Sequence, residues 1–330
     1  MTQRPGRRLG TWCAGLLLAG VSVVVGCRVA DTDGITPVPQ LLAFLPWLLA
    51  PAGLALLCAL LTRWWTGLVW GVAVLGLLAW YVEPYGTIRE PDGPQLARLR
   101  VLTANVESGR GTPALVPVIR DRHPDVVFVQ ECGSRCRAVL EGDFATDYPH
   151  RRAVEENGSK GSLILSRHPL APAPGVPGTM GMPGAVADVG GTSRASSSEP
   201  GGGHAVRLQL AHPMPPLPGQ VALWRRELAR LRAFAATRAR TPTILAGDFN
   251  ASQDHAAFRH ILDTGLTDAA RLAGHDRTPS WPSRTASVIG AQIDHVLVSG
   301  DFTATGARFL RVAGSDHRAL IVDLTLHGRT

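Results

Sequence analysis

Thr243-Ile-Leu-Ala-Gly-Asp-Phe-Asn250 is the stretch on which the fold turns. Its short apolar run reads as a mostly buried strand, and the run stops at once on glycine, aspartate and asparagine. A buried strand that ends on a carboxylate and an amide aims polar side chains from the edge of a sheet into whatever lies beyond it. Taken alone, Gly-Asp-Phe-Asn is also a fair turn sequence.

Outward from this stretch the same device recurs. Asn105 closes Val101-Leu-Thr-Ala-Asn105, Glu131 closes Asp125-Val-Val-Phe-Val-Gln-Glu131, and His212 closes Val206-Arg-Leu-Gln-Leu-Ala-His212. Asp294 opens Ile293-Asp-His-Val-Leu-Val298, and Asp316 and His317 precede the last apolar run. Each element alone has an ordinary reading: a turn asparagine, a helix-start carboxylate, a loop histidine before Pro213 or paired surface acids. Together they place Asn, Glu, His and Asp at the ends of successive buried strands, where one cleft could collect them.

The strands are expected at 100–103, 125–129, 162–165, 205–210, 243–245, 293–298 and 319–324. Helical stretches intervene, giving an α/β pattern. From Gln220 to Arg238, Val221, Trp224, Leu228, Leu231 and Ala235 repeat at three and four while arginines take the other face, as in an amphipathic surface helix. A second helix is expected near Thr112, with Pro113 in its first turn and Pro117 making its middle uncertain, and a third from Asp254 to Leu262. Pro172 to Gly203 is rich in Gly, Pro and Ser and is expected to be a long flexible insertion.

The ordered set Asn105, Gln130-Glu131, His212, Gly247-Asp248-Phe249-Asn250, Ile293-Asp294-His295 and Ser315-Asp316-His317 resembles the endonuclease/exonuclease/phosphatase superfamily from Leu99 to His327. The resemblance implies a four-layer α/β sandwich, two packed mixed β-sheets flanked by helices. It also implies hydrolysis of a phosphodiester or phosphoanhydride, which needs charge neutralised and water deprotonated together. Hard oxygen donors suit Mg²⁺ or Mn²⁺, and the set assigns the metal to Glu131 with Asn105 and Asp316. Asp248 is assigned to the attacking water, Asn250 to a phosphate oxygen, and His317, oriented by Asp294, to the developing charge. His212 is assigned to the scissile phosphate or the leaving group. Glu107 reads as solvated, with an outer-shell or second-metal carboxylate as the alternative, and His295 is expected on the opposite strand face from Asp294.

The first quarter of the chain is different in kind. Apolar runs from Trp12 to Val25, Leu41 to Leu61 and Thr66 to Val82 carry almost no charge, and read as three transmembrane helices. A cleaved signal segment ending near Cys27 is the alternative for the first. Arg4, Arg7, Arg8 and Arg63 mark the cytoplasmic ends, whereas Arg28 is offset by Asp31 and Asp33, so everything after about Glu83 is expected outside a plasma membrane. The expected plan is an anchor at 1–83, a linker at 84–98 and a catalytic domain at 99–330.

The formal net charge is +7, and Lys160 is the sole lysine. The arginines are scattered, so the charge does not outline a nucleic-acid groove. Cys132 and Cys136 are the two cysteines after the apolar runs; an oxidising exterior permits a bridge, and two free thiols are the alternative.

Three apolar spans followed by an external domain also resemble the VanJ-type proteins associated with teicoplanin resistance, which implies a lipid-linked pyrophosphate such as undecaprenyl pyrophosphate as substrate. The alternatives are an anchored nuclease, a sphingomyelinase-like phosphodiesterase and, in another class, a non-catalytic sensor of the cell envelope. A sensor would have shed Glu131, Asp248 or His317, and all three are present.

Overall fold

The computed structural model describes residues 5–88, 90–190, 203–237 and 241–329. Two six-stranded mixed sheets pack face to face. The first holds, in spatial order, β11 (Phe302–Arg311), β12 (Arg318–His327), β1 (Gln95–Asn105), β2 (Val126–Gln130), β4 (Ser162–Ser166) and β3 (His150–Val154). The second holds β5 (Leu170–Ala173), β6 (Gly184–Val189), β7 (His204–Ala211), β8 (Thr243–Asp248), β10 (Asp294–Val298) and β9 (Thr267–Asp268).

Alternation along the strands explains the layers. On β1, Leu99 and Val101 face the second sheet and join Val206, Leu208, Ile244 and Val296 in the central core. Leu102 and Ala104 point the other way, beneath α5 (Thr112–Arg122) and α6 (Ser134–Asp143). In the second sheet, Leu245 and Leu297 pack outward under α7 (Val221–Ala236) and α8 (Ala256–Leu262), where Trp224 is fully buried. Strands covered on both faces read as continuous apolar runs, which is why these were legible.

In the centre of each sheet lies one parallel pair, β1 with β2 and β7 with β8, flanked by antiparallel neighbours. Register brings Asn105 opposite Gln130, Ala211 opposite Gly247, and Asp248 opposite Asp294. Four of the polar strand ends therefore sit at one edge of the sandwich.

Several expectations need correction. Part of the Pro172–Gly203 insertion is ordered sheet: β6 pairs with both β5 and β7, and Ala185, Ala187 and Val189 are buried in the central core. Small residues there allow close packing of the two sheets, so low apolar content did not signal a loop. Residues 191–202 of that stretch, and Arg4 and Arg238, lie outside the described residues. β1 begins at Gln95, within the segment read as linker. Pro117 is accommodated inside α5. Cys132 and Cys136 are joined as a disulfide at the start of α6.

The apolar N-terminal runs form α1 (Pro5–Val29), α2 (Val38–Ala43), a 3-10 turn at Leu45–Leu48, α3 (Leu49–Leu61) and α4 (Trp65–Val82). Two of these, Gly6–Val29 and Trp65–Val82, are long and apolar enough to cross a membrane by length and composition. The run from Leu41 to Leu61 does not form one helix. Its longest continuous helical part is Leu45–Leu61, because Phe44 leaves helical geometry and Pro46 enters at the start of the 3-10 turn. That part spans about 27 Å, slightly short of a hydrocarbon layer of about 30 Å.

The end of α1, the turn after it and the end of α4 are bolted to the second sheet's flank. Asp33 accepts the backbone N–H groups of Ala256 and Ala257 and so caps α8. Arg277 donates to the carbonyls of Tyr81 and Val82 and grips Asp254 with both terminal nitrogens. Arg28 lies 3.9 Å from the same Asp254, which is fully enclosed. Removing this carboxylate takes the counter-charge from two largely buried guanidinium groups, although Arg277 keeps its two carbonyls. Asp254→Ala is expected to cost about 3–5 kcal/mol of stability, measured by denaturation of the full chain in detergent; a loss below about 1 kcal/mol is what a solvated pair would give.

Candidate active site

Each candidate side chain is delivered by a strand end, and the backbone there is unusual. Glu107, Ser108, Glu131 and Asn250 all have positive φ, between 47° and 57°, a conformation that costs non-glycine residues energy and gathers at functional sites. Gly247, at φ 154°, leaves no room for a side chain, since an added Cβ would lie 1.9 Å from the Ala211 carbonyl oxygen. That close approach of β7 and β8 is the reason for glycine directly before Asp248.

Asn105, Glu131, Asp248, Asp294 and His317 form one connected cluster. The Asn105 amide nitrogen donates to Glu131 Oε1 and to Asp248 Oδ2, each at 3.1 Å. Its oxygen accepts from the backbone N–H of Glu107. The hydrogen bonding makes Asn105 a donor that bridges two carboxylates, and the second lone pair of its oxygen leaves it open to a metal ion. The other Glu131 oxygen accepts from the backbone N–H and hydroxyl of Ser108.

The His317 ring lies between two acids. Its Nδ1 is 2.9 Å from Asp294 Oδ2, and its Nε2 is 3.7 Å from Asp248 Oδ2. Asp248 and Asp294 are almost completely enclosed. Burial pulls the His317 pKa down, but the carboxylates of Asp294 and Asp248 outweigh it and raise the value to about 10. Burial likewise pushes Asp248 up to about 7, only partly offset by the charge of His317. A carboxylate poised near neutrality beside a charged imidazole suits proton transfer.

Asp316 lies at the outer side of this cluster, 3.9 Å from His317 Nε2, and accepts a hydrogen bond from the Trp281 indole. His212 is buried, its Nδ1 lacking a partner among the described residues. Burial lowers its pKa to about 4, so it is neutral in neutral water. In that state it donates a hydrogen bond but does not deliver a proton as imidazolium. Asn250 turns its side-chain nitrogen to the Pro213 carbonyl, and its backbone N–H to Asp248 Oδ1.

Asp248, Asp294 and His317 each present a ligand atom within 4.8 Å of the others, a group that could hold a metal ion. Glu131, bonded to Asn105, and Asp316, lying beside His317, add hard oxygen donors of the kind that suits a divalent cation. Among the described residues no arginine or lysine lies within salt-bridge distance of Glu131, Asp248, Asp294 or Asp316. A cation is the natural complement to so many carboxylates.

Glu107 is not solvated. Arg110 and Arg284 both pair with its carboxylate, which ties the loop after β1 to the loop before β10. His295 does face away from the cleft: it is buried against Phe258, bonded to Asp268 and to the Ala251 carbonyl. The sequence assigns no role to Ser280, and to Ser315 only a place beside Asp316. Ser280 Oγ accepts the N–H groups of Ile293 and Asp294, whereas Ser315 Oγ donates to the Asn105 carbonyl and accepts from the His317 N–H. A serine next to Asp316 carries a weak signal; Ser280, in a loop far along the chain, carries none.

The model of the Endonuclease/Exonuclease/phosphatase family matches residues 102–317, and the chain belongs to that family. It is a phosphoesterase- or nuclease-like hydrolase of the group that acts on phosphoester bonds. Among solved structures, an endonuclease/exonuclease/phosphatase from Beutenbergia cavernae is 23% identical, with a TM-score of 0.52 over 70% of this chain and 72% of that one. An AP endonuclease from Archaeoglobus fulgidus is 17% identical, with a TM-score of 0.52 over 68% of this chain and 98% of its own. A family member from Bacteroides thetaiotaomicron is 15% identical, with a TM-score of 0.52 over 71% of this chain and all of its own. At these identities the likeness is one of fold. No protein of curated function matches the sequence.

Proposed function

We propose that the protein is a membrane-anchored hydrolase that cleaves a lipid-linked phosphoanhydride on the outer face of a plasma membrane, with undecaprenyl pyrophosphate, as for the VanJ-type proteins, the best candidate. The observation that carries this reading is the docking of the apolar helices onto the catalytic sandwich beside the cleft. Arg7 donates to the Thr62 carbonyl, which supports a bundle whose arginine-rich turns, with Arg8 and Arg63, gather at the end remote from the sandwich. Such a cluster on the cytoplasmic side leaves the sandwich outside.

A divalent ion, Mg²⁺ or Mn²⁺, when bound would neutralise phosphate charge and ease departure of the leaving oxygen. Glu131 and Asp316 would hold it, and Asn105, bridging Glu131 and Asp248, would fix their spacing. Asp248 accepts a proton from the attacking water. Protonated His317, held by Asp294, stabilises charge on the phosphoryl oxygens. Neutral His212 and Asn250 donate hydrogen bonds to the substrate phosphate.

Asp248 must be ionised and His317 protonated, so kcat/KM is expected to rise as pH climbs through about 7 and to fall above about 10. The two limbs belong to the pair rather than to either residue. A profile flat through neutrality would remove Asp248 from the role of base.

The deciding experiment compares the purified full chain, with Mg²⁺, on a polyprenyl pyrophosphate, on DNA and on sphingomyelin. Phosphate release from the first is the expected result. Preference for DNA would make the protein an anchored nuclease; inactivity on all three with metal present would favour a sensor of the envelope.

A further inference from the structure

The segment between the first two apolar helices does more than return the chain. Its residues touch both loops that border the catalytic cluster. On one side Gln40 donates to the carbonyl of Pro216, in the loop that follows His212. On the other, the Trp47 indole donates to the Gly290 carbonyl at 3.2 Å, in the loop that leads to Asp294. Between them the Phe44 ring lies 6.1 Å from the ring of Trp281, whose indole donates to Asp316 at 3.1 Å. An aromatic path thus runs from the apolar segment to a carboxylate of the active site.

The rim beside this path is apolar where a water-facing enzyme would be polar. Trp47 is 42% exposed, Leu217 45%, Ile289 44% and Val288 71%. Leu217 belongs to the loop held by Gln40, and Val288 and Ile289 to the loop held by Trp47. Two loop tips carrying exposed aliphatic side chains on either side of a segment continuous with apolar helices fit a hydrocarbon surface, and indole rings favour the boundary between hydrocarbon and water.

We propose that Phe44, Trp47 and Trp281 form the approach by which the hydrocarbon chain of a membrane phospho-lipid lies as its phosphate enters the cleft, with Leu217, Val288 and Ile289 seated in the outer leaflet. The inference rests on the lipid-linked reading above and adds the element that selects the lipid. The anchor is then part of the substrate site, and substrate arrives sideways from the bilayer.

The test uses the full chain in lipid vesicles, with a long polyprenyl pyrophosphate and a short water-soluble prenyl pyrophosphate as paired substrates. Phe44→Ser with Trp47→Ser is expected to lower the ratio of kcat/KM, long over short, by about tenfold, chiefly through KM, the size of effect that loss of one aromatic contact with hydrocarbon gives. Val288→Ser with Ile289→Ser, which changes two exposed side chains, is expected to move the ratio the same way. An unchanged ratio in both, including equal losses on both substrates, overturns the proposal. A photoreactive polyprenyl phosphate gives a second readout independent of turnover: labelling of 38–48 and 281–289 supports the approach, and labelling confined to other parts of the chain overturns it. Labelling of these segments without cleavage of either substrate would instead sink the hydrolase reading and leave the lipid site.

Discussion

Asp248→Asn is expected to lower kcat by about 10³–10⁴-fold, the upper range for loss of a positioned general base, while changing stability little. The asparagine keeps an oxygen to accept the Asn250 N–H, now taken by Asp248 Oδ1; removing a carboxylate whose ionisation burial opposes offsets the loss of the oxygen that now accepts from the Asn105 amide. An acid with a raised pKa destabilises the fold progressively as pH rises from its ordinary value of 3.8 to its folded value of about 7, and fully above it; a neutral amide escapes that cost. Activity should therefore collapse while the thermal midpoint stays nearly fixed, as at a site where a buried carboxylate serves chemistry rather than the fold. Parallel loss of both would show that Asp248 serves the fold. The measurements are initial rates at saturating substrate and a melting curve on the same preparation.

Glu131→Ala is expected to be equally damaging by a different route. The carboxylate is fixed from both sides, by Asn105 on one oxygen and by Ser108 on the other, so its position does not depend on substrate. Its removal should raise the divalent metal concentration needed for half-maximal activity by about 10²-fold or more, and chelation of the wild-type protein should abolish turnover reversibly. A variant that loses rate with unchanged metal demand would relocate the ion to the Asp248, Asp294 and His317 group. Metal titration of both proteins separates the two outcomes.

Much of the catalytic half is readable in one dimension for a simple reason. A strand covered on both faces is a run of apolar residues, and its end is the first place where a polar side chain is tolerated; Asn105, Glu131, His212 and Asp248 all stand at such ends. Strands that pair at a sheet's edge carry no such run. β3, with every residue half-buried, and β11, which alternates around Gly306, give no continuous signal. β6 is hidden by its small residues, since a close inter-sheet contact needs little apolar volume.

The sequence by itself determined the order of the catalytic strands, the identity of the acids and histidines they carry, and the presence of long apolar segments, because these follow from periodicity and from the cost of burying unpaired polar groups. Only the tertiary structure decided how those groups are wired. That Asn105 bridges Glu131 and Asp248, that His317 is clasped by Asp294 beside Asp248, and that the break at Phe44 and Pro46 lays a segment of the apolar region against Trp281, all depend on distances between residues far apart in the chain. Such distances are set by sheet register and helix docking, which local sequence does not encode.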